Sequence, residues 1–176
     1  MARTKMALTS KGWQQVASEF KHRSDRSTAL VGAAYLEGHL GQIIRGFCVD
    51  DETAVDGLLD AEHPLGSFRA RIRAAYCLGL ISKNENHDLE RILEVRDIFT
   101  EQVYSASFND AQVREACLAL KIPRSILESP LEQTPRQLFI FAVALLAQQL
   151  AFRAEQAAKD RRGLPDEFML VDAEND

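Results

Sequence analysis

Several features that mark other protein classes are missing from this chain of 176 residues. Its three cysteines, Cys48, Cys77 and Cys117, form no C-x-x-C motif, which predicts reduced, partly buried thiols and no disulfide framework. Lys and Arg total 21 against 26 Asp and Glu, so the formal charge is -5 and no overall basic field attracts nucleic acid. The basic first eleven residues lead into Gly12-Trp13 and not into an apolar run, which is unlike a secretory signal. We therefore expect a cytoplasmic protein.

Long hydrophobic runs are also missing. The most apolar stretch, Leu138–Ala147, is about half the ~20 residues that a membrane-spanning helix needs, and Gln148 and Gln149 end it. We interpret it as a core helix and expect no membrane association. Because the stretch is apolar nearly all round, it is either enclosed by neighbouring helices or shared with a second copy of the chain, and we favour a homodimer.

The pattern of apolar residues predicts an all-α fold. No sustained alternation of apolar and polar residues indicates a strand, and the five prolines and nine glycines lie mostly where helical periodicity stops. We predict a single-domain bundle of about seven helices over residues 1–165, followed by an acidic tail over residues 166–176. Residues that favour helix starts are Ser10, Ser24 or Ser27, Ser67, and Thr134 before Pro135.

The helix lengths follow from the same periodicity. We expect helices from Ser10 to about His22, over Asn86–Tyr104, from Asn109 or Asp110 to Leu120, and from Thr134 to about Arg162. The last of these is the long apolar C-terminal helix. The acidic segment 50–60 is expected to form a short helix or a turn, and a piece of one or two turns is expected between Pro123 and Pro130.

One arginine stands out because it interrupts an apolar helical stripe. Arg96 lies among apolar residues at three- and four-residue spacing, and a guanidinium that faces a core needs a carboxylate or a carbonyl. On a helical wheel Glu37 also points inward, and Arg71 lies at the edge of its own apolar face. We predict a buried Glu37–Arg96 ion pair with Arg71 as a third member of the cluster, and a structural role for the cluster before a functional one.

Two blocks of sequence resemble a known family. Residues 65–81 (LGSFRARIRAAYCLGLI) and residues 88–97 (DLERILEVRD), together with Glu37 and residues 107–110 (SFND), are similar to the mannitol operon repressor family. The resemblance covers roughly residues 25–150. It implies a helical transcriptional regulator of genes for mannitol uptake and catabolism, and it implies no enzymatic activity.

The chain departs from that family pattern after Arg96. Members commonly have Asn next and a His a few residues later, whereas this chain has Asp97 and no histidine nearby. Spacing of an arginine and a histidine in this way also resembles small helical nucleases, so an alternative is a catalytically dead, nuclease-like domain that binds RNA. Without the histidine, such a site lacks a general acid or base.

A second alternative is a repressor that binds DNA directly. Residues 109–127 have the pattern of a helix-turn-helix, with Arg114, Lys121 and Arg124 as weak candidates for DNA contacts. Because Pro130 ends the second helix early, it is too short to fill a major groove. We therefore expect the protein to act through a protein partner, which its acidic surface suits.

No cofactor or metal site is predicted. The four histidines are scattered, and none stands at a spacing from other ligand-type residues that would define a strong metal site. His39 is expected to be a packed or half-exposed side chain, and no catalytic residue is assigned.

Overall fold

The computed structural model describes residues 20, 23–102, 105–127 and 133–165. Over these ranges the chain is helical and contains no strand, which confirms the predicted all-α, multi-helix fold. The helix expected from Ser10 to His22, apart from Phe20, and the predicted tail lie outside the described residues. The described helices are α1 (Asp25–Phe47), α2 (Glu52–Leu59), α3 (Phe68–Cys77), α4 (Lys83–Glu101), α5 (Ala111–Leu118), α6 (Lys121–Ile126) and α7 (Pro135–Lys159).

Capping side chains begin three helices where the sequence predicts them. The side chains of Ser24, Ser67 and Thr134 each accept a hydrogen bond from a backbone amide in the first turn of α1, α3 and α7. Pro135 occupies the first turn of α7, where its missing N–H costs nothing. The acidic segment does form a short helix, α2.

Other boundaries differ from the prediction. Helix α4 begins at Lys83 and not at Asn86, because Ser82 and Glu85 form a capping box ahead of it. Asp110 precedes α5, but its carboxylate accepts from the backbone N–H of Ser107 instead of capping the helix. Helix α7 ends at Lys159 and not near Arg162.

Two parallel helices, α1 and α7, form the centre of the molecule. Near one end Gly32 faces Phe139 and Val143, and near the other Gly46 faces the backbone of residues 154 and 158. A Cβ atom on Gly32 would lie 3.0 Å from Phe139 Cε1, and one on Gly46 would lie 3.5 Å from the amide nitrogen of residue 158. The two glycines therefore let the helices pack closely.

The main core surrounds this pair. It draws fully buried apolar side chains from α1, α3, α4, α5 and α7, and burial of each large one contributes roughly 1.5–3 kcal/mol. The largest of them are Leu36, Leu40, Ile43, Phe68, Ile72, Leu89, Ile92, Leu93, Phe99, Leu120 and Phe139. A smaller cluster of Ile44, Val55 and Leu59 joins α2 to the bundle, with Leu65, Ala74 and Leu80 packed against it.

Helices α3 and α4 form an antiparallel hairpin. The turn between them follows Cys77, with Gly79 at a φ of 72°. Gly79 N–H donates to the carbonyl of Tyr76 (3.0 Å) and Leu80 N–H donates to that of Ala75 (2.8 Å), which is a Schellman motif. Because both bonds close on α3, the turn is a rigid extension of the helix.

The helix start at Asp25 is joined to distant parts of the chain. Its carboxylate accepts from the backbone N–H of Phe108 (3.1 Å) and from the guanidinium of Arg136. Arg136 also donates to the backbone carbonyl of Phe20 (3.0 Å). The Phe108 ring packs between the rings of Phe99 and Phe139, 5.2 Å from each. These contacts hold the N-terminal ends of α1 and α7 together.

Helix α7 is long and apolar enough, by length and composition alone, to cross a membrane. Half of its most apolar window is buried inside the protein, chiefly against α1. This burial is typical of the core helix that the sequence predicts.

Candidate functional site

Arg96 does not pair with Glu37. Its guanidinium donates through Nε (3.0 Å) and Nη2 (2.8 Å) to Oδ1 of Asp97, the next residue of α4, and lies over the Phe68 ring, 5.8 Å from its centre. Arg69 donates to the other Asp97 oxygen at 3.0 Å. The predicted Glu37–Arg96 pair is wrong, because Asp97 offers a carboxylate without any movement of the backbone. Arg96 is also only partly buried, with 29% of its side chain exposed.

Arg71 is the inward-facing arginine that links separate elements. It donates to three backbone carbonyls: Nε to Leu65 (2.8 Å), Nη1 to Glu37 (3.2 Å) and Nη2 to Leu59 (2.7 Å). Glu37 therefore contributes its carbonyl and not its carboxylate. A Cβ atom on Gly41 would lie 3.1 Å from Nη1, so this glycine makes room for the guanidinium.

The three residues predicted to form one cluster thus belong to two groups. Arg71 and the Glu37 backbone form a clamp between α1, the end of α2 and the start of α3. Arg96 belongs to a surface network with Asp97 and Arg69 on α3 and α4.

A buried carboxylate that the sequence analysis did not single out is Asp88 of α4. It is fully buried, and its two oxygens accept the backbone N–H groups of Lys121 and Ile122, both at 2.8 Å. His87 Nδ1 lies 3.0 Å from Oδ1. Asp88 thus caps the N-terminus of α6 from another helix. Asp88 lies one turn from Ile92 on the apolar face of α4. This spacing in the sequence is the signal that could have indicated a buried carboxylate.

Glu85, one turn earlier on α4, is a second buried carboxylate. Its oxygens accept from the backbone N–H of Ser82 at 2.5 Å and from Nε of Arg153 at 3.2 Å. The two buried carboxylates, Glu85 and Asp88, are therefore both hydrogen-bonded, as buried charges must be.

The weak candidates for DNA contacts, Arg114, Lys121 and Arg124, are exposed on α5 and α6. Helix α6 has six residues, too few to fill a major groove. Its first backbone N–H groups, which in other proteins can bind phosphate, are occupied by Asp88. The short length of α6 and its occupied N–H groups disfavour α6 as a DNA recognition helix.

No group of three His, Cys, Asp or Glu side chains that could hold a metal ion occurs among the described residues. His39 is half-buried on α1, with its ring edge-on to Tyr35 at 4.8 Å. Burial lowers the pKa of His39 below 6.5, so its ring is neutral at physiological pH. A neutral, packed His39 matches the expectation for this residue.

A groove with charged walls runs along the outer face of α4. It has a volume of about 310 Å³ and is lined by Arg69, Glu90, Arg91, Glu94, Asp97, Ile98 and Glu101. Four carboxylates face two guanidinium groups there, so the groove is net negative. Arg69 is paired with Asp97, and Arg91 donates to Glu94 at 2.7 Å, so both guanidinium groups have partners within the groove. We call this feature the α4 groove.

Comparison with known proteins decides the family. A model of the mannitol repressor family matches residues 35–155, more than half of the chain. The chain belongs to the mannitol repressor family.

Two curated relatives, both named mannitol operon repressor, come from Escherichia coli strain K12 and from Escherichia coli O6:H1 strain CFT073. Each is 30% identical to this chain over 74 residues, which is 40% of this chain and only 38% of the relative. The X-ray structure of the MtlR–HPr complex from Escherichia coli matches with a TM-score of 0.59 and 20% identity, over 80% of this chain and 99% of that one. At this identity the match shows a shared fold.

The structure explains residues of the block that resembles the mannitol repressor family. A Cβ atom on Gly66 would lie 2.3 Å from the carbonyl oxygen of Ala61, so only glycine fits there. Ser67 caps α3, Arg71 forms the carbonyl clamp and Gly79 makes the left-handed turn. These members of the block therefore have structural roles.

Proposed function

We propose that this protein is a cytoplasmic regulator of transcription of the mannitol repressor type, without enzymatic activity, that acts by binding a protein partner. Family membership over residues 35–155 carries the proposal. The relative of the same fold was solved in complex with HPr, which makes HPr the first partner to test. The proposal includes a role in regulating the transcription of mannitol genes.

The geometry supports a protein partner over direct reading of DNA. Asp88 occupies the start of α6, and the formal charge of -5 disfavours a polyanion. The α4 groove offers instead a net negative surface with an apolar side chain, Ile98, in its lining. A basic side chain on the surface of a partner fits such a groove.

The first prediction is measured by titration calorimetry of the full chain with Escherichia coli HPr. We expect binding with a dissociation constant on the order of 10 μM or tighter, weakened by salt because the groove is charged. The double variant Glu94→Lys/Glu101→Lys is expected to weaken binding about fivefold or more. Glu115→Lys, an exposed carboxylate on α5, is the matched control and is expected to leave binding unchanged.

Gel-shift titration with a mannitol operator fragment and with generic RNA tests the alternatives. We expect no shift of either nucleic acid at physiological salt. A salt-sensitive shift at sub-micromolar protein would contradict action through a protein partner alone. Absence of binding to HPr would remove this partner from the proposal.

A further inference from the structure

Charge is strongly segregated along the chain between residues 50 and 84. Residues 50–62 carry six carboxylates and no Lys or Arg, whereas residues 63–84 carry three Arg, one Lys and no carboxylate. We call them the acidic and the basic segment. The negative charge of the acidic segment acts on Arg45. The pKa of Arg45 is raised by the hydrogen-bonded Asp56 and also by Glu52 and Asp60.

The basic segment also presents apolar side chains to solvent. Tyr76 and Leu78, on both sides of the exposed Cys77, are 42% and 48% exposed. Arg73, one turn before Tyr76, and Lys83, at the start of α4, are exposed and have no ion pair among the described residues. The Schellman turn at Gly79 fixes the backbone that carries Tyr76 and Leu78. An apolar centre with a charged rim on rigid backbone is the anatomy of a protein interface.

The acidic and basic segments are neighbours in space. Val55 and Leu59 of α2 share a small core with Ala74 of α3 and Leu80 of the turn. A two-fold axis that passes between the segments therefore brings the basic segment of one copy against the acidic segment of the other, twice.

We propose that the exposed face of residues 73–83 binds the acidic segment of a second copy of this chain, forming a closed, two-fold symmetric dimer. The opposite charges of the two segments select this occupant. The side chains of Asp60 and Glu62, exposed just after the end of α2, are the counter-charges for Arg73 and Lys83. Tyr76 and Leu78 lose exposed apolar surface in the contact.

Nucleic acid suits the same face less well. The other exposed cation of α3, Arg69, is already paired with Asp97 and Glu90. The α4 groove, with its four carboxylates, lies next to it and repels phosphates.

Sedimentation equilibrium of the full chain, from about 1 to 200 μM, tests the proposal. We expect a monomer–dimer equilibrium that shifts toward monomer as NaCl rises from about 50 to 500 mM. Arg73→Glu and the double variant Asp60→Lys/Glu62→Lys are each expected to weaken dimerisation about fivefold or more. Combining all three substitutions restores opposite charges and is expected to recover most of the affinity.

The apolar part is tested by Tyr76→Ser and Leu78→Ser, which we expect to weaken the dimer about fivefold each. The matched control is Tyr35→Ser, a tyrosine on α1 that is 53% exposed, which is expected to have no effect. Circular dichroism of each variant verifies that the monomer is folded. A chain that is monomeric throughout, or a dimer that responds to none of these changes, overturns the proposal. So does RNA binding that Arg73→Glu abolishes in a monomeric protein.

Discussion

At the scale of single residues, the difference between Arg71 and Arg96 shows what a helical wheel can predict. The wheel correctly indicated that Arg71 lies at the edge of a core. It could not rank the possible partners, because an arginine side chain is long and flexible and reaches acceptors in several directions. Arg96 reaches the adjacent Asp97, and Arg71 reaches three carbonyls, in a loop, at the end of α2 and in the middle of α1, that no periodicity reveals.

The second prediction concerns Arg96→Met. We expect a loss of about 1 kcal/mol in the free energy of unfolding, because a partly exposed ion pair and one cation–π contact are removed and no buried charge is stranded. Adding Glu37→Gln should be additive, since the two side chains do not interact. Urea unfolding of the two single variants and the double variant measures this.

Arg71→Met is the comparison for that experiment. It removes the guanidinium that joins three carbonyls of a part-buried clamp, so we expect a loss of about 3 kcal/mol or more. An equal loss of stability for Arg71→Met and Arg96→Met would mean that the carbonyl clamp does not stabilise the fold more than the Arg96 surface network does.

At the scale of elements, local sequence signals predicted helix starts better than they predicted contacts between helices. Ser24, Ser67 and Thr134 mark their helices because a cap acts within one turn of chain. The start of α4 was misplaced by three residues because the capping box of Ser82 and Glu85 was overlooked. The cap of α6 comes from Asp88, 33 residues earlier, and sequence spacing does not indicate such a pairing.

The third prediction is that Asp88→Ala detaches α6. Two backbone N–H groups lose their acceptor in a buried place, so we expect a loss of about 3 kcal/mol in the free energy of unfolding. Hydrogen exchange of the amides of Lys121 and Ile122 should accelerate more than that of the α1 amides. Asp51→Ala, which removes an exposed cap of α2, is the control and should cost about 1 kcal/mol.

At the scale of the whole molecule, the sequence predicted an all-α fold and the family, and both are confirmed. The family blocks were recognisable because short turns and caps constrain residues such as Gly66 locally. The parallel pairing of α1 with α7 was not predicted, because no local sequence pattern indicates that residues as far apart as Gly32 and Phe139 are in contact.

The fourth prediction is a pH dependence of global stability. Burial raises the pKa of the Cys117 thiol from 9.0 to about 12. The folded state therefore keeps this proton at pH values where the unfolded chain loses it, and stability falls between about pH 9 and pH 12. The decrease from this group is up to about 1.4 kcal/mol per pH unit. Well below pH 9 this thiol does not change the slope of stability against pH.

Urea unfolding at several pH values, compared between the wild type, Cys117→Ala and Cys77→Ala, isolates this contribution. Other groups titrate equally in all three proteins. Cys117→Ala should flatten the decrease above pH 9, whereas Cys77→Ala, which removes an exposed thiol, should not. Identical slopes in the three proteins would refute a buried, protonated Cys117.

The parallel pairing of α1 and α7 has a consequence for the order of events during protein synthesis. Helix α1 leaves the ribosome among the first of the described segments and α7 among the last, with 87 residues between Phe47 and Pro135. Contacts between such distant segments form slowly, because a long loop must close first. The part of the apolar face of α1 that packs on α7 therefore stays open to other chains, or to chaperones, until α7 has been made.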